Sequence, residues 1–239
     1  MIRINNLFKK YGKLTALAGV SFDIKSGEFF ALLGLNGAGK STLINVLSTL
    51  IKKDSGTIQI DGNSLDGDKD KIKKLIALSP QETAIAGNLT VKENLYFIAE
   101  LYDIKGYKEK TVEILKKFSL TEKENSRAKT LSGGQKRRLS VAAALISEPK
   151  ILFLDEPTLG LDVKSRKILW DIIKELKGEI TIILTTHYLE EAEALADRIG
   201  IISKGKMSAI GTVEEIIKFS GKKTFEDAFL SLAEEGERV

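Results

Sequence analysis

The sequence predicts an α/β fold: a mostly parallel sheet, an antiparallel β region at the N-terminus and an α-helical subdomain inserted in the middle. Three observations point there. Short apolar and β-branched runs alternate with helix-period segments early in the chain and again after residue 150, as in sheets whose parallel strands are joined by helical crossovers. The earliest strand candidates are bounded instead by turn glycines. From Val91 to Ser147 the strand signal nearly vanishes and helical spacing takes over.

Taken in order, Ile2 to Phe8 reads as a strand leading to a turn at Tyr11-Gly12-Lys13. Ala18 to Ile24 reads as a second strand, closed by Ser26-Gly27. Glu28 to Leu33 is a short apolar run, the mark of a buried strand. Leu43, Val46, Leu47 and Leu50 then fall at helical spacing. Gly56 to Gly62 alternates and reads as a half-exposed strand. Asp66 to Lys74 is a charged surface stretch, and Leu75 to Leu78 is a buried strand ending at Pro80. Val91, Leu95, Ile98 and Leu101 predict one amphipathic helix; Val112, Leu115 and Phe118 predict another. The lysines between Lys105 and Lys129 are interleaved with acids and few aromatics, so they read as solvated surface rather than a nucleic-acid face.

Parallel-sheet signals return with the strand Ile151 to Leu154, the helix Val163 to Leu176, the strand Ile180 to Leu184 and the helix Tyr188 to Ala196. Arg198 to Ser203 and Met207 to Ile210 predict a hairpin around Lys204-Gly205. Gly221 to Val239 reads as a short charged helix with Phe225, Phe229 and Leu230 on one face.

Composition bounds the function. The chain has 239 residues, 43% of them hydrophobic, which supports a sizeable core. No apolar run reaches the ~18 residues of a membrane span, and the N-terminus lacks the apolar core of a signal peptide. With no cysteine, disulfides and thiolate metal sites are excluded. A net charge of +4 mildly favours anionic partners.

Chemistry concentrates first at Gly34-Leu35-Asn36-Gly37-Ala38-Gly39-Lys40-Ser41, which fits G-x-x-x-x-G-K-[ST] between a strand and a helix, the context its mechanism needs. Glycines let the backbone approach phosphate closely, and the helix adds its positive end. Lys40, read as an exposed loop cation, reaches the β- and γ-phosphates, and the Ser41 hydroxyl, followed by Thr42, ligates Mg²⁺. The fold class is therefore an α/β phosphate-loop NTPase core. Second comes the strand ending in Asp155-Glu156-Pro157. Alone, that pair reads as surface acids; beside a phosphate loop, Asp155 reaches Mg²⁺ and Glu156 polarises a water for in-line attack. Third is Leu131-Ser132-Gly133-Gly134-Gln135: Ser132 is a good N-cap, Gly133 and Gly134 bare their N–H groups, and a helix from about Gln135 to Ser147 aims its dipole at an anion.

With these three motifs in this order and spacing, the chain resembles the nucleotide-binding subunit of an ATP-binding cassette (ABC) transporter over about residues 1 to 215. The resemblance implies an ATPase domain over 1–220, with a core of 1–87 and 149–220 around a helical subdomain of about 88–148, and a tail at 221–239. It implies that Ser132, Gly133, Gly134 and Gln135 meet the γ-phosphate held by an opposite subunit. Tyr11 matches the ring that stacks on adenine. Gln81 matches the glutamine that joins Mg²⁺ and the attacking water. His187, the chain's single histidine, matches the switch on the γ-phosphate; a lone histidine after a strand would otherwise read as structural. Leu159-Gly160-Leu161-Asp162 matches the loop crossing the dimer interface. Leu35 and Val163 stand where proline is common, and neither position supplies a chemical group. The implied cofactors are ATP and Mg²⁺. The implied partners are a second cassette and a separate transmembrane permease, with no nucleic acid, which places the chain peripherally at the cytoplasmic face of a membrane. The run Glu190 to Arg198 and the tail Thr224 to Leu230 are similar to drug, lipid and antibiotic exporters, and the long C-terminal regulatory domain of many sugar and metal importers is not expected. A soluble cassette acting on ribosomes or DNA is the alternative, yet there is one cassette, no coiled-coil insertion and no zinc cysteine. A non-hydrolysing regulator is disfavoured by intact Glu156 and His187.

Overall fold

The computed structural model of the chain describes residues 1–234. Two sheets lie against one another. The first is antiparallel, ordered β2-β1-β4-β5, from β1 (Ile2–Tyr11), β2 (Leu14–Ile24), β4 (Ser55–Ile60) and the two-residue β5 (Asn63–Ser64). The second is ordered β10-β9-β3-β8-β7-β6. Its strands β3 (Phe29–Leu33), β6 (Ile76–Ser79), β7 (Ile151–Asp155), β8 (Thr181–Thr186) and β9 (Arg198–Ser203) run parallel. Only β10 (Lys206–Gly211) turns back, antiparallel to β9. The hairpin around Lys204-Gly205 stands as expected.

Burial explains this division. In β1, Ile2, Ile4 and Leu7 are buried while Arg3 and Asn5 face solvent, so one face alone is covered. Every residue of β3, β7 and β8 is buried, as strands covered on both faces require. Along β3, Phe30 and Leu32 join the cluster under the antiparallel sheet, whereas Ala31 and Leu33 point to the far side. That first cluster includes Leu43, Val46 and Leu47 of α1 (Lys40–Leu47). Burying each large apolar side chain contributes about 1.5–3 kcal/mol.

The second core cluster joins the sheet's other face to the middle of the chain. Here α3 (Val91–Leu101), α4 (Tyr107–Lys117) and α5 (Gly133–Leu145) follow a short α2 (Lys69–Lys73) and precede α6 (Val163–Lys174). Thr90 and Glu93 close α3 with a reciprocal capping box. The third cluster packs α7 (Leu189–Leu195), α8 (Val213–Ser220) and α9 (Phe225–Glu234) on β3 and β9.

Several sequence expectations shift. The helix after the phosphate loop stops at Leu47, because Thr49 turns left-handed at φ 65°, and Leu50 is exposed. In α4 Val112 faces solvent, and Thr111 and Leu115 are buried in its place. Leu101 is likewise exposed. The charged stretch 66–74 holds α2, pinned by buried Ile72. Helix α8 was not foreseen; Thr212 and Glu215 form its capping box and Gly221 ends it at φ 68°. In α9 Phe225 and Phe229 are buried as expected, but Leu230 is exposed, with Leu232 and Ala233 buried instead. The remainder of that tail expectation, residues 235–239, lies outside the described residues.

Candidate nucleotide site

Strand β3 delivers the chain into the loop Gly34 to Gly39, and α1 leaves from it. Gly39 is the N-cap, at φ 111°. A Cβ there would sit 2.6 Å from the Ala16 carbonyl oxygen, so the loop passes β2 at glycine distance. The first turn of α1 carries no acid, which leaves its N–H groups and dipole to a ligand's negative charge.

Lys40 is buried rather than an exposed cation, because it begins α1 and its stem packs inward. Its ammonium donates to the carbonyl oxygens of Gly34 at 2.7 Å and Leu35 at 3.3 Å. It lies 3.9 Å from Glu156 Oε1. Burial lowers its pKa; the charges of Glu156 and Asp155 pull it back up.

Parallel pairing sets the rest. Asp155, paired with Thr185 at the ends of β7 and β8, is buried. Its Oδ1 accepts hydrogen bonds from the Thr185 hydroxyl and, at 3.4 Å, from Ser41 Oγ. Glu156 follows at φ 45°, a left-handed conformation that costs a non-glycine residue free energy and is found at functional sites. Its N–H donates to the Thr185 carbonyl at 3.0 Å. Its carboxylate turns to His187, whose Nδ1 is 3.0 Å from Oε2. Gln81 is exposed just after β6, and Tyr11 is exposed at the end of β1.

These side chains share one open cavity of about 740 Å³, lined by Tyr11, Asn36, Gly37, Ala38, Gly39, Lys40, Ser41, Thr42, Gln81, Glu156 and His187. Gly34 is buried behind the loop, with no room for a Cβ beside Ile202, and Asp155 sits behind Ser41. The signature loop, Leu131 to Gln135, does not reach the cavity. Ser132 caps α5 with a reciprocal box: Gln135 N–H donates to Ser132 Oγ at 3.3 Å, and Ser132 N–H donates to Gln135 Oε1 at 3.0 Å. Gly133 is exposed, with no atom near a built Cβ, whereas Gly134 packs tightly against Ser165 of α6.

Among the described residues no cluster of three or more His, Cys, Asp or Glu side chains could cage a metal. What stands at the edge of the phosphate cradle is a pair of hard oxygen donors, Ser41 and Asp155. That set fits Mg²⁺, which takes its remaining ligands from phosphate and water.

Sequence reading missed several groups. Lys204 also lines the cavity. Its turn is fixed there because Gly205 N–H donates to the Ala38 carbonyl at 2.9 Å, while the Gly205 carbonyl accepts from Ala18 N–H at 2.8 Å. A Lys-Gly turn signals a hairpin and carries no hint of that docking. Glu191 is fully buried beneath the His187 strand end and accepts a 2.8 Å hydrogen bond from Trp170 Nε1. Burial raises its pKa; contacts with Thr186, Trp170, Thr158 and Arg166 oppose the rise. Arg137 is buried on α5, where no sequence motif marks it.

The model of the ABC transporter family matches residues 17–159. The linearmycin resistance ATP-binding protein LnrL of Bacillus subtilis is 43% identical over 94% of this chain and 73% of its own length. The daunorubicin/doxorubicin resistance ATP-binding protein DrrA of Streptomyces peucetius is 38% identical over 90% of this chain and 66% of its own. The mouse ATP-binding cassette sub-family A member 17 is 41% identical, but the chain spans only 12% of that protein. Among solved structures, an ATP-binding subunit of an ABC transporter superposes with a TM-score of 0.88 at 30% identity, covering 97% of this chain and 99% of that one. The dimeric cassette MJ0796, solved in a post-hydrolysis state bound to ADP and Pi, superposes at 0.79 and 30% identity over 89% of this chain and 98% of that one. With phosphate loop, Glu156 and the lone histidine around one cavity, and with these relatives, the chain belongs to the ABC transporter family, as its ATP-binding, ATP-hydrolysing cassette.

Proposed function

We propose that this cassette powers an exporter: it binds two Mg·ATP between two cassettes, and the closing and opening of that pair drive a separate transmembrane permease. The proposal places it peripherally at the cytoplasmic face of the membrane. It divides the chain into an ATPase core of 1–87 and 149–220, a helical subdomain of about 88–148 and a tail from 221. The observation that carries the site assignment is the cavity in which Lys40 and His187 both approach Glu156, at 3.9 and 3.0 Å. The resistance proteins among the relatives support export.

In this mechanism Tyr11 stacks on the adenine, and the N–H groups of Gly37 to Ser41, with Lys40, hold the β- and γ-phosphates. Ser41, Asp155 and Gln81 are the residues that would hold Mg²⁺, which would supply positive charge against the phosphates. Glu156 accepts the proton of the attacking water as its oxygen closes in line on the γ-phosphorus, while the bond from that phosphorus to the β–γ bridging oxygen breaks and ADP leaves with the electron pair. His187 donates to the γ-phosphate and, through its contact with Glu156, keeps that carboxylate aimed. Ser132, Gly133, Gly134 and Gln135, which lie outside the cavity of their own chain, cap the γ-phosphate of the opposite one.

The test is phosphate release from Mg·ATP by the purified chain, then by the chain on proteoliposomes carrying a membrane protein that co-purifies with it. Turnover stimulated by that protein and by an exported compound is expected. Absence of turnover in the folded chain would refute the site assignment; turnover indifferent to the membrane protein would refute the exporter pairing.

A further inference from the structure

Arg137 lies one turn beyond the signature loop on α5, and its side chain is 4% exposed. Among the described residues its guanidinium faces no carboxylate at hydrogen-bond distance; its donors go to main-chain carbonyls of two other segments. Nε donates to the Pro157 carbonyl at 2.8 Å and Nη2 to the Asp155 carbonyl at 2.9 Å. Nη1 donates to the Pro80 carbonyl and, at 3.3 Å, to that of Gln81. The first two acceptors bracket Glu156. The other two are Gln81 and the residue before it. One side chain thus grips the backbone on either side of the water-polarising carboxylate and at the glutamine.

We infer that Arg137 is a positioning residue for ATP hydrolysis, the strut through which the helix bearing the signature loop sets Glu156 and Gln81. The inference rests on the catalytic reading of those two residues. A planar guanidinium serves three directions at fixed angles, which an ammonium on a flexible stem does not. The acceptors lie where β6 and β7 end, beside Pro80 and Pro157, which have no N–H to offer a neighbour. Although burial lowers its pKa to about 10, Arg137 stays protonated at neutral pH, so each bond is charge-assisted. Whatever tilts α5 when a phosphate meets Gly133 is transmitted through this fork to both catalytic segments. None of its hydrogen bonds goes to the phosphate loop or to Tyr11, so holding ATP does not require it.

The test is Arg137→Met, which keeps the apolar stem, and Arg137→Lys, which keeps the charge but not the fork. Each is measured for thermal unfolding, ATP dissociation constant, KM and kcat. Expected is a fall in kcat of ten-fold or more in both variants, with the ATP dissociation constant and KM within two-fold of the parent. A kcat within two-fold of the parent in a folded variant would overturn the inference. So would a parallel loss of ATP affinity and kcat, or failure of both variants to fold, since either makes Arg137 a support of the fold at large. Glu156→Gln, assayed alongside, separates the two readings. If that variant retains turnover, the catalytic assignment fails; if it loses turnover while the Arg137 variants do not, only the strut fails.

Discussion

Gly133 offers a clean way to ask whether one chain completes the site of another. It occupies the first helical position of α5, is exposed, and has open space where a Cβ would go. Gly133→Asp should therefore fold. An acid in the first turn of a helix contributes about 0.3–1 kcal/mol. Function should move the other way. If Gly133 faces the γ-phosphate of an opposite chain, the new carboxylate meets like charge at about 4 Å, which at an effective dielectric near 20 costs about 4 kcal/mol, or roughly 10³-fold in turnover. The companion lesion is Lys40→Met, which removes the ammonium and keeps the packed stem. Each homodimer should be nearly inactive. In a mixed dimer both lesions fall in one site and the other is whole. Random mixing at equal ratio should then restore about a quarter of the parental activity, given that a two-fold dimer has two equivalent sites. The assay is phosphate release against mixing ratio. Because the chain has no cysteine, single cysteines at Ser41 and Ser132 give an independent geometric readout, an ATP-dependent cross-link between chains. A flat mixing curve together with no inter-chain cross-link, in a demonstrated heterodimer, would refute the shared site. Full activity of the folded Gly133→Asp homodimer would refute it more simply.

Other outcomes follow from single residues. Glu156→Gln should bind ATP but turn over about 10²–10⁴ times more slowly, as loss of a general base does, and an ATP-bound dimer should accumulate on size exclusion. Tyr11→Ala should weaken ATP binding by about ten-fold at most, since stacking adds about 0.5–1.5 kcal/mol; calorimetric titration checks it. Glu191→Gln should alter the pH dependence of stability. The folded-state pKa of Glu191 is raised above 4.5, so its contribution is full below that value and is lost as pH rises through the folded pKa. The glutamine can still accept from Trp170. Unfolding midpoints taken from pH 4 to 8 should therefore favour the variant increasingly towards higher pH. A constant offset would remove the burial argument.

Much of this molecule was legible in its sequence. The parallel strands could be read because residues buried on both faces leave unbroken apolar runs, as at Phe29 to Leu33 and Ile151 to Leu154. The phosphate loop could be read because its geometry admits few residue types. The helix Val213–Ser220 was overlooked although Thr212 and Glu215 carry its start signal, since Ile216 is its one fully buried apolar residue. Val112 misled because an apolar side chain at helical spacing need not face the core when Thr111, one position away, does. Lys204, Glu191 and Arg137 were illegible for a common reason. What each does depends on long-range contacts, and Arg137 in particular reads backbone carbonyls, which carry no sequence signature.

The central strand has a consequence for how the chain is made. β3 is synthesised early but lies between β8 and β9, so Phe29 finds its partner at Asp197 across 168 residues. On a ribosome adding residues one at a time, the antiparallel sheet and the helices α3 to α5 can form from neighbours in the chain. The six-stranded sheet cannot close until nearly the whole chain has emerged. Until then β3, apolar on both faces, has both edges open. Non-local pairing of this kind is slow and leaves strand edges available for association. The nascent cassette should therefore depend on chaperones between emergence of the phosphate loop and emergence of β9. Truncated chains stalled before Arg198 should be aggregation-prone or protease-sensitive, although they already carry the phosphate loop and Asp155.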